Sequence, residues 1–263
     1  QIIVSKMGFD LIAPPSMDSE DKEKKEPQTI TPQVIQSIKD MDGVDKVSPA
    51  IMINGMQLRL EGRERPFSPS FSFGWDVDGD SSFFTGFTGD QKTLNTGEAF
   101  INNIVVNFYN TSAEEIIGKT LIIESSDTPL LGNVTKPQLD QKYEYKIVGV
   151  IDTGRDRTDA VITVKDASNL LAVSGNFTDG AEYLQEVGFD QVYITVDDED
   201  RIDEIKSLIN EKYGLETFSS EDVLEFLNLI TTAITLILVF FGIVSAFVAP
   251  IGIINTMVMS IYE

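Results

Sequence analysis

The side chains most suited to chemistry lie together at Asp76-Val77-Asp78-Gly79-Asp80. Carboxylates clustered this closely offer the hard oxygen ligands that calcium takes. The run lacks the glutamate and the spacing of an EF-hand loop, so a solvated acidic turn is the preferred reading; Asp76, Asp78 and Asp80 stand as the candidate metal ligands. Gly118-Lys119-Thr120 looks like the end of a phosphate-binding loop, but Ala113 occupies the position where that loop needs its first glycine. It reads as a turn leading into a strand. The chain has no cysteine and no histidine, which excludes a disulfide framework, a thiol nucleophile, a histidine-containing zinc site and a Ser–His triad. With 42 acidic residues, neighbouring carboxylates arise by chance, so no pair is nominated as a catalytic dyad. No catalytic residue and no cofactor are expected.

A second group is aromatic. Phe67, Phe71, Phe73, Trp75, Phe83, Phe84 and Phe87 crowd a Pro/Ser/Gly-rich segment that shows no clear helix or strand. Such density either forms the core of its own subdomain, the preferred reading, or captures an apolar cargo. Phe71, Phe73, Trp75, Phe83 and Phe84 are therefore the candidate contacts with an external cargo or partner protein. Asn110-Thr-Ser, Asn133-Val-Thr and Asn176-Phe-Thr match the glycosylation acceptor pattern at about the frequency chance supplies. The formal charge of -22 disfavours nucleic acid and anionic headgroups as main partners, because both would be repelled.

These residues are held by a chain organised around its end. Phe226 to Tyr262 carries no charge, and roughly 20 apolar residues suffice to cross a hydrocarbon core. A helix of this length buried in a soluble core would carry a polar face; a membrane-spanning helix with an overhang fits better. Ser219, Ser220, Glu221 and Asp222 supply a serine cap and first-turn acids, so the helix is expected to start as a rigid stalk above the bilayer. Pro250 is expected to kink it. The chain begins at Gln1 and stops just after the apolar run, so both ends read as cut, and no signal peptide is visible.

Upstream, Gln1 to Ala13 alternates toward strand until Pro14-Pro15, and Ser16 to Glu26 is a charged loop. Thr31-Pro32 opens a helix with Val34, Ile35, Ile38 and Met41 on one face, ended by Gly43; Val44 to Ile53 is a strand. The pattern returns downstream: strand Phe189 to Val196, an acidic helix start at Asp197 to Asp200, a helix with Ile202, Ile205, Leu208 and Ile209 on one face, Gly214, and strand Leu215 to Phe218. Between the copies, strands are expected at Met56 to Gly62, Lys119 to Glu124, Tyr143 to Asp152 and Ala160 to Val164, with short helices at Ala113 to Ile117, Ala167 to Ser174 and Gly180 to Glu186. The expected class is α+β: a split ferredoxin-like βαβ subdomain with an inserted β-rich subdomain, followed by one transmembrane helix. The expected divisions are 1–64 and 187–220 for the two halves, 65–186 for the insertion, and 221–263 for stalk and membrane helix.

The ordered landmarks resemble the MacB/FtsX-type permease subunits of ABC transporters. Gly252 to Met257 leading into Ser260-Ile261-Tyr262-Glu263 is similar to that family's second membrane helix. Gly43 to Pro49, Gly97 to Ile101, Ile117 to Leu121 and Val148 to Ile151 are similar to its external core domain, in the same order. Ala249-Pro250 departs from the small residues, such as glycine, common there. The resemblance implies a porter-like subdomain carrying an insertion, one membrane helix before Gln1 and two after Glu263. It also implies a cell-membrane location with residues 1–220 on the extracytoplasmic side, an ABC ATPase partner, a permease homodimer, and an external cargo or accessory protein. Its function would be mechanotransmission without catalysis of its own, Ser219 to Glu225 acting as the coupling. A membrane-anchored sensor or ligand-binding receptor ectodomain has the same outline and is the alternative.

Overall fold

The computed structural model describes residues 2–5, 28–68, 72–76, 84–125, 139, 141–153 and 158–262. Pro14-Pro15, the charged loop at 16–26, Phe71, Phe83, Asp78, Asp80 and Asn133 lie outside them. The elements begin with β1 (Ile2–Ser5), α1 (Pro32–Lys39), β2 (Val44–Ile53), β3 (Met56–Leu60), β4 (Ser72–Trp75), β5 (Gly86–Thr88) and β6 (Glu98–Asn102). There follow α2 (Asn103–Phe108), α3 (Ala113–Ile116), β7 (Thr120–Ser125), β8 (Tyr143–Asp152), β9 (Ala160–Ile162), α4 (Val164–Gly175) and α5 (Gly180–Glu186). The chain closes with β10 (Gln191–Val196), α6 (Ile202–Tyr213), β11 (Glu216–Ser219) and α7 (Ser220–Tyr262). By contacts the described residues form two compact units, one running to Phe218 and the other from Ser219.

The first unit is built on one sheet in the order β11-β1-β10-β2-β4-β9-β6-β8-β7-β3, with β5 added to β8. Its leading four strands, with α1 joining β1 to β2 and α6 joining β10 to β11, are the ferredoxin-like plan. Everything between β2 and β10 is inserted, and the inserted strands continue the same sheet through β4. Local signals set the helices. Thr31 caps α1 by accepting from the Val34 amide, and Pro32 sits in the first turn. Gly214 ends α6 with φ at 64°, a left-handed position that costs glycine little.

The sheet has a main core on its helical side and a second, smaller core of Ala50, Phe73, Trp75, Phe100, Val148, Ile151 and Val161. Alternation divides the strands between them: Ala99 and Ile101 join the main core while Phe100 joins the second. β8 shows both regimes. It alternates at its start, then is buried continuously from Ile147 to Ile151, where the main core covers one face and the second core the other. Two expectations are corrected. The aromatic segment does hold a strand, β4, and the strand at Ala160 stops at Ile162 because Thr163 caps α4 instead of continuing it.

β3 ends the sheet, and a charged network fastens it. Glu124 on β7 is buried and accepts from Gln57 Nε2 at 3.0 Å, from Arg59 Nη2, and from Lys142 Nζ at 3.2 Å. Burial works to raise the Glu124 pKa, but the hydrogen bonds and charges of Lys142 and Arg59 outweigh it and hold the carboxyl below its usual range. The unfolded state therefore binds more protons in acid, and this contribution is present at neutral pH and lost as pH falls through the depressed value. Glu124→Gln is expected to cost about 1–2 kcal/mol, short of the fully buried range because Lys142 is exposed. Urea midpoints of the two proteins should differ near neutral pH and converge in acid; a gap that persists below the carboxylate range would show another cause.

Candidate functional site

Among the described aromatic residues, Phe73 and Trp75 are interior: they are 8% and 3% exposed and face the second core from β4. The Trp75 ring stacks on Tyr193 at 4.7 Å and 28°, and meets Phe84 edge-on at 6.2 Å. Phe87 meets Phe100 edge-on at 5.3 Å. Phe84 and Phe87 are half-buried at the rim. The burial of Phe73 and Trp75 puts them out of reach of a cargo, so of the candidate contacts among the described residues only Phe84 keeps a surface at solvent.

Gly74, between the two buried rings, faces the other way. A Cβ there would lie 2.1 Å from the Ala167 Cβ, so strand and helix meet at backbone distance. The start of α4 is fixed from three directions. Thr163 Oγ1 accepts from the Asp166 amide at 3.1 Å, Asp166 Oδ2 accepts from the Gly97 amide at 2.9 Å, and Asp76 Oδ1 accepts from the Val164 amide at 2.9 Å. Asp76 thus spends its carboxylate on a helix terminus, where amides and dipole favour an anion. Among the described residues no group of three or more acids is placed to hold a metal ion.

Gly118, at φ 88°, turns the chain from α3 into β7 and donates its amide to Ile147 O at 2.7 Å. That is a turn before a strand. Asn110 and Asn176 are exposed, and each adopts a left-handed backbone, with φ at 49° and 59°. Asparagine tolerates that conformation better than most side chains, which gives both residues a backbone reason to be there.

In the second unit, Ser219 and Asp222 form a reciprocal cap at the start of α7. The Ser219 amide and hydroxyl donate to Asp222 Oδ2 at 2.6 and 3.0 Å, and the Asp222 amide donates to Ser219 Oγ at 3.4 Å. Glu221 lies in the same first turn. No residue separates β11 from α7. The helix runs 43 residues, about 65 Å at 1.5 Å per residue. It is the one helix among the described residues long and apolar enough to cross a membrane, and its side chains are exposed along that stretch. Pro250 lies inside it and supplies no amide to Ala246 O. Thr231, Thr235 and Thr256 each turn their hydroxyls back to the carbonyl four residues earlier, at 2.8 Å, so they present no free donor sideways.

No known family's sequence profile matches this chain, and no curated protein does. Solved structures do. The periplasmic region of MacB from Actinobacillus actinomycetemcomitans superposes with a TM-score of 0.50 at 11% identity, covering 86% of this chain and 91% of that one. The extracellular domain of the noncanonic ABC-type transporter YknZ from Gram-positive bacteria gives 0.43 at 15%, covering 83% and 100%. A domain of a permease protein from Porphyromonas gingivalis gives 0.41 at 10%, covering 72% and 82%. The chain is thus an α+β protein of split ferredoxin-like plan with an inserted continuation of its sheet. Its fold is that of the MacB periplasmic region.

Proposed function

We propose that the chain is the extracytoplasmic domain and one membrane helix of an ABC transporter permease of MacB/FtsX type. It carries movement, driven by ATP hydrolysis in a partner ATPase on the cytoplasmic side, to a cargo or accessory protein outside the bilayer. One observation supports this above others: a domain with the fold of the MacB periplasmic region passes without a linker into a capped, 43-residue apolar helix. In this reading β1 to β2 and β10 to β11 are the two halves of a porter-like subdomain, β3 to β9 between them are its insertion, and 221–263 are the stalk and membrane helix, with residues 1–220 extracytoplasmic. The permease works as a homodimer and performs no chemistry of its own. Ser219, Ser220, Glu221 and Asp222 form the stiff coupling, Pro250 sets a bend in the membrane, and Phe84 is the aromatic that an external partner reaches.

A Gly-Ser linker inserted after Ser220 tests the coupling. It is expected to leave folding and ATP hydrolysis intact and to abolish transport. Transport at the unmodified rate would reject direct mechanical coupling through this junction.

A further inference from the structure

β2 serves a different partner on each of its edges. Its residues from Val44 to Ala50 pair with β10, and those from Ala50 to Ile53 pair with β4, so Ala50 alone is matched on both sides, to Gln191 and Trp75. Past Ala50, β10 has already ended, and the Met52 amide points to that vacated edge. Asp190 fills it. Its own amide donates to Ala50 O at 3.2 Å, and its Oδ2 accepts from the Met52 amide at 2.8 Å. The carboxylate takes the place of the next strand carbonyl and extends the ladder by one rung. The opposite edge, before Ala50, has lost β4, and there stands Pro49, which has no amide to leave unpaired.

Side chains close the same seam. The Trp75 ring from β4 and the Tyr193 ring from β10 stack across β2 at 4.7 Å. On the helical side, Gln33 Nε2 of α1 donates to Gln185 Oε1 of α5 at 2.9 Å. Residues on both sides of the seam fall in one compact unit.

We propose that this seam is a fixed joint, in which Asp190 is the positioning residue that holds the ferredoxin-like half and the insertion as one rigid lever. A displacement given to one half then reaches the other without being absorbed between them. The functional consequence rests on the reading of the chain as a mechanical transmitter; the rigidity of the joint does not.

Two spin labels on one permease copy of the full-length transporter, paired with an unlabelled copy in lipid nanodiscs, test it; these 263 residues contain no cysteine, and any cysteine elsewhere in the transporter is replaced by serine. Lys39→Cys on α1 and Asn107→Cys on α2 place them at exposed positions in the two halves. A single narrow distance distribution is expected, unchanged between nucleotide-free and ATP-bound states. Asp190→Ala should roughly double its width and lower transport per ATP hydrolysed, as loss of a joint permits hinge motion. Asp190→Asn keeps an acceptor oxygen and should restore both. If Asp190→Ala does not fold, Tyr193→Leu removes the stack alone and should widen the distribution instead. Two populations in the native protein, a shift on adding ATP, or an unchanged width in the folded variants would overturn the proposal. If the widths behave as expected but transport per ATP is constant, the joint stands and the transmitter reading falls.

Discussion

Trp75→Ala is expected to destabilise the first unit by about 3–5 kcal/mol, the range for removing a large buried aromatic ring. The indole is almost wholly enclosed, stacks on Tyr193, meets Phe84 edge-on, and lies on a strand hydrogen-bonded on both sides. Neighbouring strands cannot close on the void without breaking the β2–β4 or β4–β9 ladder, so the cavity persists and adds to the lost transfer energy. Urea unfolding followed by circular dichroism reads the cost, since the variant loses the chain's one tryptophan. Phe84→Ala, at the rim, should cost much less. A change below about 1 kcal/mol at Trp75 would place the ring among surface contacts.

Gly74→Ala is expected to be strongly destabilising, its Cβ making the shortest approach among the described glycines. The new Cβ would sit 2.1 Å from the Ala167 Cβ, inside any real contact distance, while Thr163 O at 3.5 Å would be an ordinary contact. Neither wall can retreat easily: β4 is paired to β2 and β9, and the start of α4 is tied to Thr163, Asp76 and Gly97. Overpacking of this kind costs about 1–3 kcal/mol and more where both walls are anchored. The fluorescence of Trp75, the adjacent residue, reports both the strand shift and the unfolding midpoint. Removing the opposing methyl with Ala167→Gly should recover part of the loss, although glycine inside a helix costs about 1 kcal/mol itself. Independent, additive losses would show that the two residues do not collide.

Much of the scaffold was legible because local chemistry dictated it. Thr31-Pro32 starts α1, Gly214 ends α6, and Tyr143 to Asp152 is one strand end to end. β4 was not legible. It has four residues, both faces are covered, and its glycine answers to Ala167, which lies far along the chain, so neither alternation nor β propensity marks it. β6 and α2 were missed too, being five and six residues long. The candidate site divides the same way. Ser219 and Asp222 cap as their three-residue spacing suggests, because a cap is a local device. Asp76 was read for its neighbours in sequence, whereas its partner Val164 lies 88 residues away. Asp190 carried no signal at all, since its role exists only where β10 stops and β2 continues.

The pairing of β1 with β10 also sets a timetable. Ile2 waits for Ile194, about 190 residues later in synthesis, which at 5–20 residues per second is roughly 10–40 s of translation. During that interval the insertion, whose strands β3 to β9 find their partners among themselves apart from the β2–β4 ladder, can be completed. Within this domain, β1 is therefore synthesised before β10 and among the last strands to be ordered. A domain with so distant a closure folds slowly for its size, and Ile2 and Val4 of β1 lack their β10 partners until β10 leaves the ribosome.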